Sequence, residues 1–168
     1  MDSSDERRAP RTHAEMTALV SEKLDRGERA LDPFAVRNQI EILWADANGA
    51  EGVMTVNDGV LNPYGTVHGG CLVALADTVA GHNMAATGRL CVTQSSTVNF
   101  LRPASGKLVR CRSVPQKLGK SVCVAYVEET DEEGELLTTA LFTFCVVRRV
   151  KPHVITPTEL NVSQELET

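Results

Sequence analysis

One charged side chain stands alone in a long apolar stretch of this sequence and could serve as an acid, a base or a nucleophile. It is Asp77, the only fully charged residue between Asn62 and Ala86. Its neighbours one helical turn away are small or apolar, namely Val73, Ala74, Ala80 and Gly81. Burying an unpaired carboxylate there is costly, so Asp77 is expected either in a functional crevice or bonded to a hydroxyl or backbone donor.

The second chemical feature is the pair Gly69-Gly70, which follows a Pro- and Gly-rich loop at the predicted start of a helix. The first amides of a helix have no partner within it, and without a Cβ another group can approach them closely. Such a terminus can bind an anion, or the oxyanion that develops during acyl transfer.

The spacing of these two features predicts a site shared between two copies of the chain. Gly70 and Asp77 are seven residues apart, which is about 10 Å along a helix, so one reacting carbon cannot contact both. If they cooperate, the Asp77 that faces a given glycine pair must come from a second helix lying antiparallel beside the first. A two-fold dimer produces that arrangement twice.

The elements that must position these residues indicate a single α+β domain. A loop from Asn62 leads into a Pro-free helix of at least four turns, which ends at Gly88. Two apolar runs before the loop predict a hairpin, at 40–45 and 52–56. Four segments after the helix predict strands, at 91–101, 108–114, 122–128 and 136–147, with a loop at 115–120. This order predicts an antiparallel sheet wrapped on one helix.

Both ends of the chain are predicted to lie outside this domain. Residues 1–33 contain a charged tail and a short amphipathic helix that starts near Thr12, with a hinge at Asp32-Pro33-Phe34. Residues 150–168 are polar and are expected to form a flexible tail. The domain itself is predicted to span residues 34–149.

Composition argues against several classes of function. A net charge of -5 and 4% aromatic residues are unlike a nucleic-acid-binding domain. No apolar run reaches the roughly 18 residues of a membrane span, and residues 1–8 lack the apolar core of a signal peptide, so we expect no membrane partner and a cytoplasmic location. Five cysteines without a Cys-x-x-Cys pair predict reduced thiols and no metal site.

A series of short motifs resembles a known family. In chain order they are Asn62-Pro-Tyr-Gly-Thr-Val-His-Gly-Gly, Leu75-Ala-Asp, Val98-Asn-Phe-Leu-Arg-Pro, Leu118-Gly-Lys-Ser and Thr143-Phe. Together they resemble the hotdog-fold acyl-CoA thioesterases of the phenylacetate-pathway, or PaaI-type, group over residues 34–147. The resemblance implies a long central helix wrapped by a curved antiparallel sheet. It also implies side-by-side homodimers, often paired into homotetramers, with the active site across the dimer interface.

The same resemblance implies catalytic roles. Asp77 would be the general base or nucleophile, and the Gly69 amide would polarise the thioester carbonyl. Asn62 would position the water or the thioester. A hydroxyl early in the next strand would assist, with Thr93 slightly favoured over Ser95.

Coenzyme A would enter as part of the substrate, and no cofactor or metal is implied. Its phosphates need cations, and the candidates are Arg102, Lys117 and Lys120. Gly119 and the second helix glycine, Gly70, are further candidates for contact with coenzyme A. Each of the three cations also fits an ordinary solvated surface side chain.

Other residues near these motifs admit two interpretations. His68 could be a base, but a histidine beside a glycine pair more often holds its loop by hydrogen bonds. Cys71, in the first helical turn, would have a lowered pKa and could be a nucleophile, although it lacks a nearby histidine and acid. His82 and Asn83 are expected to be structural or to line the acyl pocket.

The implied function is hydrolysis of an acyl- or aryl-CoA thioester, and two alternatives remain. Asp58, Asn62-Pro63 and His68 follow the order used by enoyl-CoA hydratases of the same fold, but their spacing and the presence of Asp77 fit a thioesterase better. A non-catalytic acyl-CoA sensor could keep the helix and lose its carboxylate, so the presence of Asp77 favours an enzyme. The identity of the acyl group is not encoded in any motif.

Overall fold

A six-stranded antiparallel sheet wraps around one long helix in this protein. The computed structural model describes residues 32–156, and the amphipathic helix predicted near Thr12 lies outside that range. The long helix contacts every strand of the sheet, as the α+β prediction requires. No helix in the described part of the chain is both long and apolar enough to cross a bilayer.

The element bounds follow the predicted order closely. Helix α1 covers Pro33–Arg37, a 3-10 turn covers Asp58–Val60, and the long helix α2 covers Gly69–Ala86. The strands are β1 Ile40–Ala45, β2 Ala50–Thr55, β3 Arg89–Phe100, β4 Leu108–Leu118, β5 Val122–Thr130 and β6 Leu136–Arg149. They neighbour one another in the order β1-β2-β4-β5-β6-β3, so β1 and β3 form the two edges.

Helix α1 occupies the place predicted as a hinge. Asp32 Oδ1 accepts hydrogen bonds from the amides of Phe34, at 2.9 Å, and Ala35, at 3.2 Å. Pro33 takes the first helical position, where a missing amide removes no helical hydrogen bond. The capped proline therefore starts a short helix rather than a flexible joint.

Helix α2 begins and ends where the glycines predicted. His68 caps its start and Thr87 its end, after which Gly88 adopts a φ of +75° that favours glycine. Its buried residues recur at spacings of three and four, which places them on the half of the helix that packs against the sheet: Leu72, Leu75, Ala76, Val79, Ala80, Asn83, Met84 and Ala86. The other half, which includes Asp77, is only partly buried.

Asn83 is the fully buried polar residue of α2, and it anchors the helix to the sheet. Its Nδ2 donates to the carbonyl of Asp46 at 2.9 Å, in the β1–β2 turn. Ser113 Oγ, on β4, donates to its Oδ1 at 3.4 Å. The structural role expected of Asn83 is therefore confirmed.

Strand β4 is longer than predicted, because residues 115–118 continue it instead of forming a loop. The pairing with β5 shifts between Pro115 and Lys117. Such a bulge accommodates a proline, which has no amide to donate to the ladder. Lys117 therefore lies on a strand, and only Gly119 to Ser121 form the turn.

Residues 150–156, predicted within a flexible tail, are hydrogen-bonded to the domain. The Val150 amide donates to Gly88, and the His153 amide donates to Ala85. Ile155 exchanges two backbone hydrogen bonds with Ala45, of 2.8 and 2.9 Å. This segment therefore joins the end of α2 to the outer edge of β1. The rest of the predicted tail lies outside the described residues.

Glu129 is a carboxyl buried in the core that the sequence analysis did not single out. It is completely buried on β5, on the same face as Cys123, Ala125 and Val127. Neither of its carboxyl oxygens has a hydrogen-bond partner among the described residues. Burial raises the pKa of Glu129 to about 8.

This raised pKa predicts that the protein loses stability as the pH rises. The protonated form is favoured in the folded state, so the contribution of Glu129 is complete below its ordinary pKa of 4.5 and is lost as the pH passes about 8. We expect the free energy of unfolding of the wild type to fall across this window, and that of Glu129→Gln to stay flatter. Urea denaturation at several pH values measures both. The control is Glu128→Gln, an exposed neighbour, and an equal pH dependence in Glu129→Gln and wild type would contradict the prediction.

Candidate active site

Asp77 lies in the middle of α2, half-buried and bonded to a hydroxyl. Thr93, on the edge strand β3, donates from Oγ1 to Asp77 Oδ1 at 2.7 Å. A hydrogen bond of this length orients the carboxylate and leaves Oδ2 available to another donor. The structure thus brings Asp77 together with the hydroxyl residue favoured from the sequence.

A bulge in β3 decides which hydroxyls face Asp77. The pairing with β6 shifts between Thr93 and Ser95, so Thr93 lies opposite Phe144 and Ser96 lies opposite Phe142. Directly opposed residues share a face of the sheet. Thr93 and Ser96 therefore share the Asp77 face, and both line its cavity, whereas Ser95 does not. Simple alternation would have placed Ser95 there, so Ser96 was missed.

The cavity at Asp77, here called the acid cavity, has a volume of about 790 Å³. One wall is α2, which contributes small residues such as Ala74, Gly81 and Ala85. The opposite wall comes from β3 and β6, and Asp32 and Phe34 of the α1 region complete the lining. His82 also lines the cavity, with Nδ1 donating to the carbonyl of Thr78 at 2.9 Å.

The start of α2 leaves one glycine amide available. His68 Nδ1 accepts a hydrogen bond from the Gly70 amide at 2.9 Å, so His68 caps the helix, as the loop-holding interpretation predicted. The Gly69 amide donates no hydrogen bond to another described residue. Of the two glycine amides, it is therefore Gly69 that can receive an oxyanion.

Asn62 holds the loop before α2 together. Its Oδ1 accepts from the amides of Tyr64, at 2.9 Å, and Thr66, at 3.2 Å, while its Nδ2 donates to Thr66 Oγ1 at 2.8 Å. Backbone hydrogen bonds close the same turn, from Gly65 to Asn62 and from Asn62 to Thr66. These contacts make Asn62 a loop-forming residue, and one hydrogen of its Nδ2 remains available to a ligand.

Gly69 faces a different cavity from Asp77. This second space, here called the glycine cavity, has a volume of about 310 Å³ and is also lined by Phe100 and Arg102. The ring of Phe100 lies against Gly69, since a Cβ built on that glycine would approach Phe100 Cζ to 3.3 Å. Within one protomer, the free amide and the acid therefore open into separate cavities.

The predicted cations lie in two places. Arg102 lines the glycine cavity, where its guanidinium donates to the carbonyl of Leu136 at 2.9 Å and pairs with Glu135 at 3.4 Å. Lys117, near the end of β4, and Lys120, in the β4–β5 turn, are both exposed, and neither lines a cavity.

Two arginines that the sequence analysis did not select lie beside that turn. The carbonyl of Gly119 accepts from Arg89 Nε at 3.3 Å and from Arg149 at 3.4 Å. Arg89 also donates to the carbonyls of Thr87 and Leu118. The β4–β5 turn is thereby fixed beside the start of β3, in a region rich in positive charge.

Cys71 is not activated as a nucleophile. Although it lies in the first turn of α2, its half-buried position raises the pKa of its thiol instead of lowering it. The lowered pKa predicted for the Cys71 thiol is therefore contradicted.

Comparison with known proteins gives a consistent result. The thioesterase superfamily profile matches residues 64–138. The acyl-coenzyme A thioesterase PaaI of Escherichia coli K12 is 32% identical over 104 residues, which cover 61% of this chain and 73% of that protein.

Two solved structures have a similar fold. A hypothetical thioesterase of Streptococcus pneumoniae TIGR4, solved with coenzyme A, is 27% identical with a TM-score of 0.64, covering 67% of this chain and 91% of its own. A phenylacetic acid degradation-related thioesterase from Ralstonia eutropha JMP134 is 33% identical with a TM-score of 0.67, covering 74% of this chain and 98% of its own.

The contacts of Asn62 predict a measurable effect on stability. Asn62→Ala removes three hydrogen bonds of the loop, and we expect a loss of about 1–3 kcal/mol in the free energy of unfolding. Asn62→Asp keeps the two acceptor contacts and loses only the donor to Thr66, so a smaller loss is expected. Denaturant titration compares the two variants, and equal stability of Asn62→Ala and wild type would contradict a role in shaping the loop.

Proposed function

The chain belongs to the thioesterase superfamily, and from this membership we propose that it hydrolyses an acyl- or aryl-CoA thioester to the free acid and coenzyme A. The observation that carries the proposal is that one helix presents both an oriented carboxylate, at Asp77, and a free amide at its start, at Gly69. An acid or base and an oxyanion donor are the two groups that this reaction requires.

The chemistry of the reaction needs no group beyond these residues and water. Asp77 Oδ2 removes a proton from a water molecule, whose oxygen attacks the thioester carbonyl carbon. Alternatively, the carboxylate attacks the carbonyl carbon directly, and the carbon–sulfur bond breaks to release the thiolate of coenzyme A, which takes a proton from water. The hydroxide formed then hydrolyses the anhydride to the free acid and the carboxylate of Asp77. The Gly69 amide donates to the oxyanion, which is worth about 3–4 kcal/mol of barrier in comparable sites. In the general-base route the carbon–sulfur bond then breaks, and the thiolate of coenzyme A receives the proton held by Asp77.

Thr93 supports this role by holding one carboxylate oxygen. Because its hydroxyl donates to Oδ1, the lone pairs of Oδ2 remain available to water. Asn62 has one Nδ2 hydrogen left for the water or the thioester. His68 contributes indirectly, since its cap on Gly70 fixes the helix start that presents the Gly69 amide.

A dimer through β3 would bring the acid and the amide together. This edge strand is 12 residues long and carries exposed apolar side chains, including Val92 and Phe100. A long exposed edge of this kind readily pairs with another strand. Suppose that two β3 strands pair antiparallel about an axis between Ser96 and Thr97. Thr93 of one protomer, which contacts Asp77, then lies opposite Phe100 of the partner subunit. Within each protomer the Phe100 ring packs against Gly69, so this pairing brings the acid of one chain toward the amide of the other.

The exposed cations Arg102, Lys117 and Lys120 are the groups that would bind the phosphates of coenzyme A. Arg102 lines the glycine cavity, while Lys117 and Lys120 flank the turn at Gly119 near the start of β3. In the proposed dimer these two groups come from different protomers and approach the same end of the β3 pair. Phosphates require such exposed donors, and the positions of both groups fit that requirement.

Replacing Asp77 tests the proposed base. Asp77→Asn keeps the shape of the side chain and its bond to Thr93 while removing the basic oxygen, so we expect a loss of at least 10² in kcat. Release of free thiol from a panel of acyl-CoA thioesters measures it, with the oligomer checked by gel filtration. The control is Glu133→Gln, an exposed acid in the β5–β6 turn. Equal turnover of Asp77→Asn and wild type would remove Asp77 from the mechanism, and a wild type that binds thioesters without hydrolysing them would favour a sensor.

Mixed dimers test whether the site is shared. Gly69→Pro deletes the donor amide at the first helical position, which tolerates proline, while the extended backbone of His68 before it also suits a proline. Each variant alone should be nearly inactive. After co-refolding equal amounts of Gly69→Pro and Asp77→Asn, half of the dimers are mixed and each has one intact site, so about a quarter of wild-type activity should return. Absence of recovery, with mixed dimers verified by a tag on one protomer, would refute a shared site.

A further inference from the structure

All four phenylalanines of this aromatic-poor chain line the two cavities of the candidate site. Phe34, Phe142 and Phe144 line the acid cavity, and Phe100 lines the glycine cavity. Phe142 and Phe144 are buried and stacked, with ring centroids 6.2 Å apart, so they belong to the core. Phe34 differs because its side chain is 53% exposed.

The position of Phe34 is fixed although its ring is exposed. It lies in α1, whose start is held by Asp32 Oδ1 through the amides of Phe34 and Ala35. The amide of Asn38 donates to the Phe34 carbonyl at 3.0 Å, and Asn38 Nδ2 donates to the same oxygen at 2.8 Å. A large apolar ring on a fixed backbone presents a defined surface to the acid cavity.

The α2 wall of the cavity offers space for an apolar group. Along α2 after Asp77, the cavity-lining residues include Gly81 and Ala85, which lie about 6 Å and 12 Å from Asp77 along the helix. A Cβ built on Gly81 would meet no atom within 4 Å. The space therefore extends away from the carboxylate along a wall of small residues.

We propose that Phe34 is a specificity-determining residue, whose ring contacts the acyl chain of the bound thioester and favours apolar acyl groups longer than acetyl. The proposal rests on the thioesterase function proposed above. With the carbonyl carbon at Asp77, an acetyl group ends beside the carboxylate, while a longer chain continues into the cavity and covers the exposed ring. Contact of this kind stabilises substrate and transition state alike, so it should act through KM more than kcat.

The test compares two substrates in four proteins. Octanoyl-CoA and acetyl-CoA are assayed by thiol release in wild type, Phe34→Ala, Phe34→Leu and Val36→Ala. Val36 is the matched control because it lies in the same short helix, is 57% exposed and does not line the acid cavity. Melting temperature and gel filtration of each variant verify the fold and the oligomer.

We expect Phe34→Ala to lower the ratio of kcat/KM for octanoyl-CoA over acetyl-CoA by about tenfold, equal to about 1.4 kcal/mol, the order expected for losing part of a ring contact. Phe34→Leu should recover part of this ratio, and Val36→Ala should leave it unchanged. An unchanged ratio in Phe34→Ala, or an equal loss for both substrates, would overturn the role of Phe34 while leaving the thioesterase function intact. A wild type that hydrolyses no thioester would overturn both proposals.

Discussion

The distance between two groups on the same helix, α2, is the constraint on which the candidate site depends. A single helix carries the free amide of Gly69 at its start and the carboxylate of Asp77 in its middle, and the rise of a helix keeps them about 12 Å apart. The two groups also open into separate cavities. No rotamer of Asp77 removes this separation. Chemistry that uses both groups therefore has to use two helices, and the fold leaves a long exposed strand with which a second chain could pair.

The sheet contributes to the site by controlling direction as well as position. A one-residue bulge in β3 turns Thr93 and Ser96 toward Asp77, although they are three positions apart. Side chains also fix the conformation of the loop before α2. The amide of Tyr64 donates to Asn62 Oδ1, and the amide of Gly70 donates to His68 Nδ1. The residues around the acid and the amide are thus held by local hydrogen bonds that do not depend on a bound ligand.

Much of this arrangement could be predicted from the sequence because its signals are local. The Asp77 helix has no proline, a glycine pair at its start and Gly88 at its end, and the structure places it at Gly69–Ala86. The hydroxyl partner was predicted only in part, because the bulge that selects Thr93 and Ser96 depends on pairing with β6. Pro115 was misleading for a similar reason, since a neighbouring bulge lets it stay within β4.

Features that arise from the tertiary fold escaped the sequence analysis. Glu129 continues the alternating face of Cys123, Ala125 and Val127, but a carboxyl at that position is ordinarily assigned to the exposed end of a strand. The sequence predicts a hinge at Phe34, whereas the cap by Asp32 makes it part of a short helix that lines the acid cavity. In both cases the missing information was which distant residues surround the side chain, and periodicity does not supply it.

The attachment of residues 150–156 has a consequence for how copies of this chain can assemble. A sheet with two open edges can add subunits at either end without limit, as fibres do. Here β1 is short, and its pairing with β2 is interrupted between Ile42 and Trp44. On the outer side of β1, the backbone of Ala45 is already hydrogen-bonded to Ile155. Strand pairing at the Ala45 end of that edge is therefore blocked, and β3 is left as the longer edge that another strand could reach. The segment that closes the domain thus also limits where a second strand can be added.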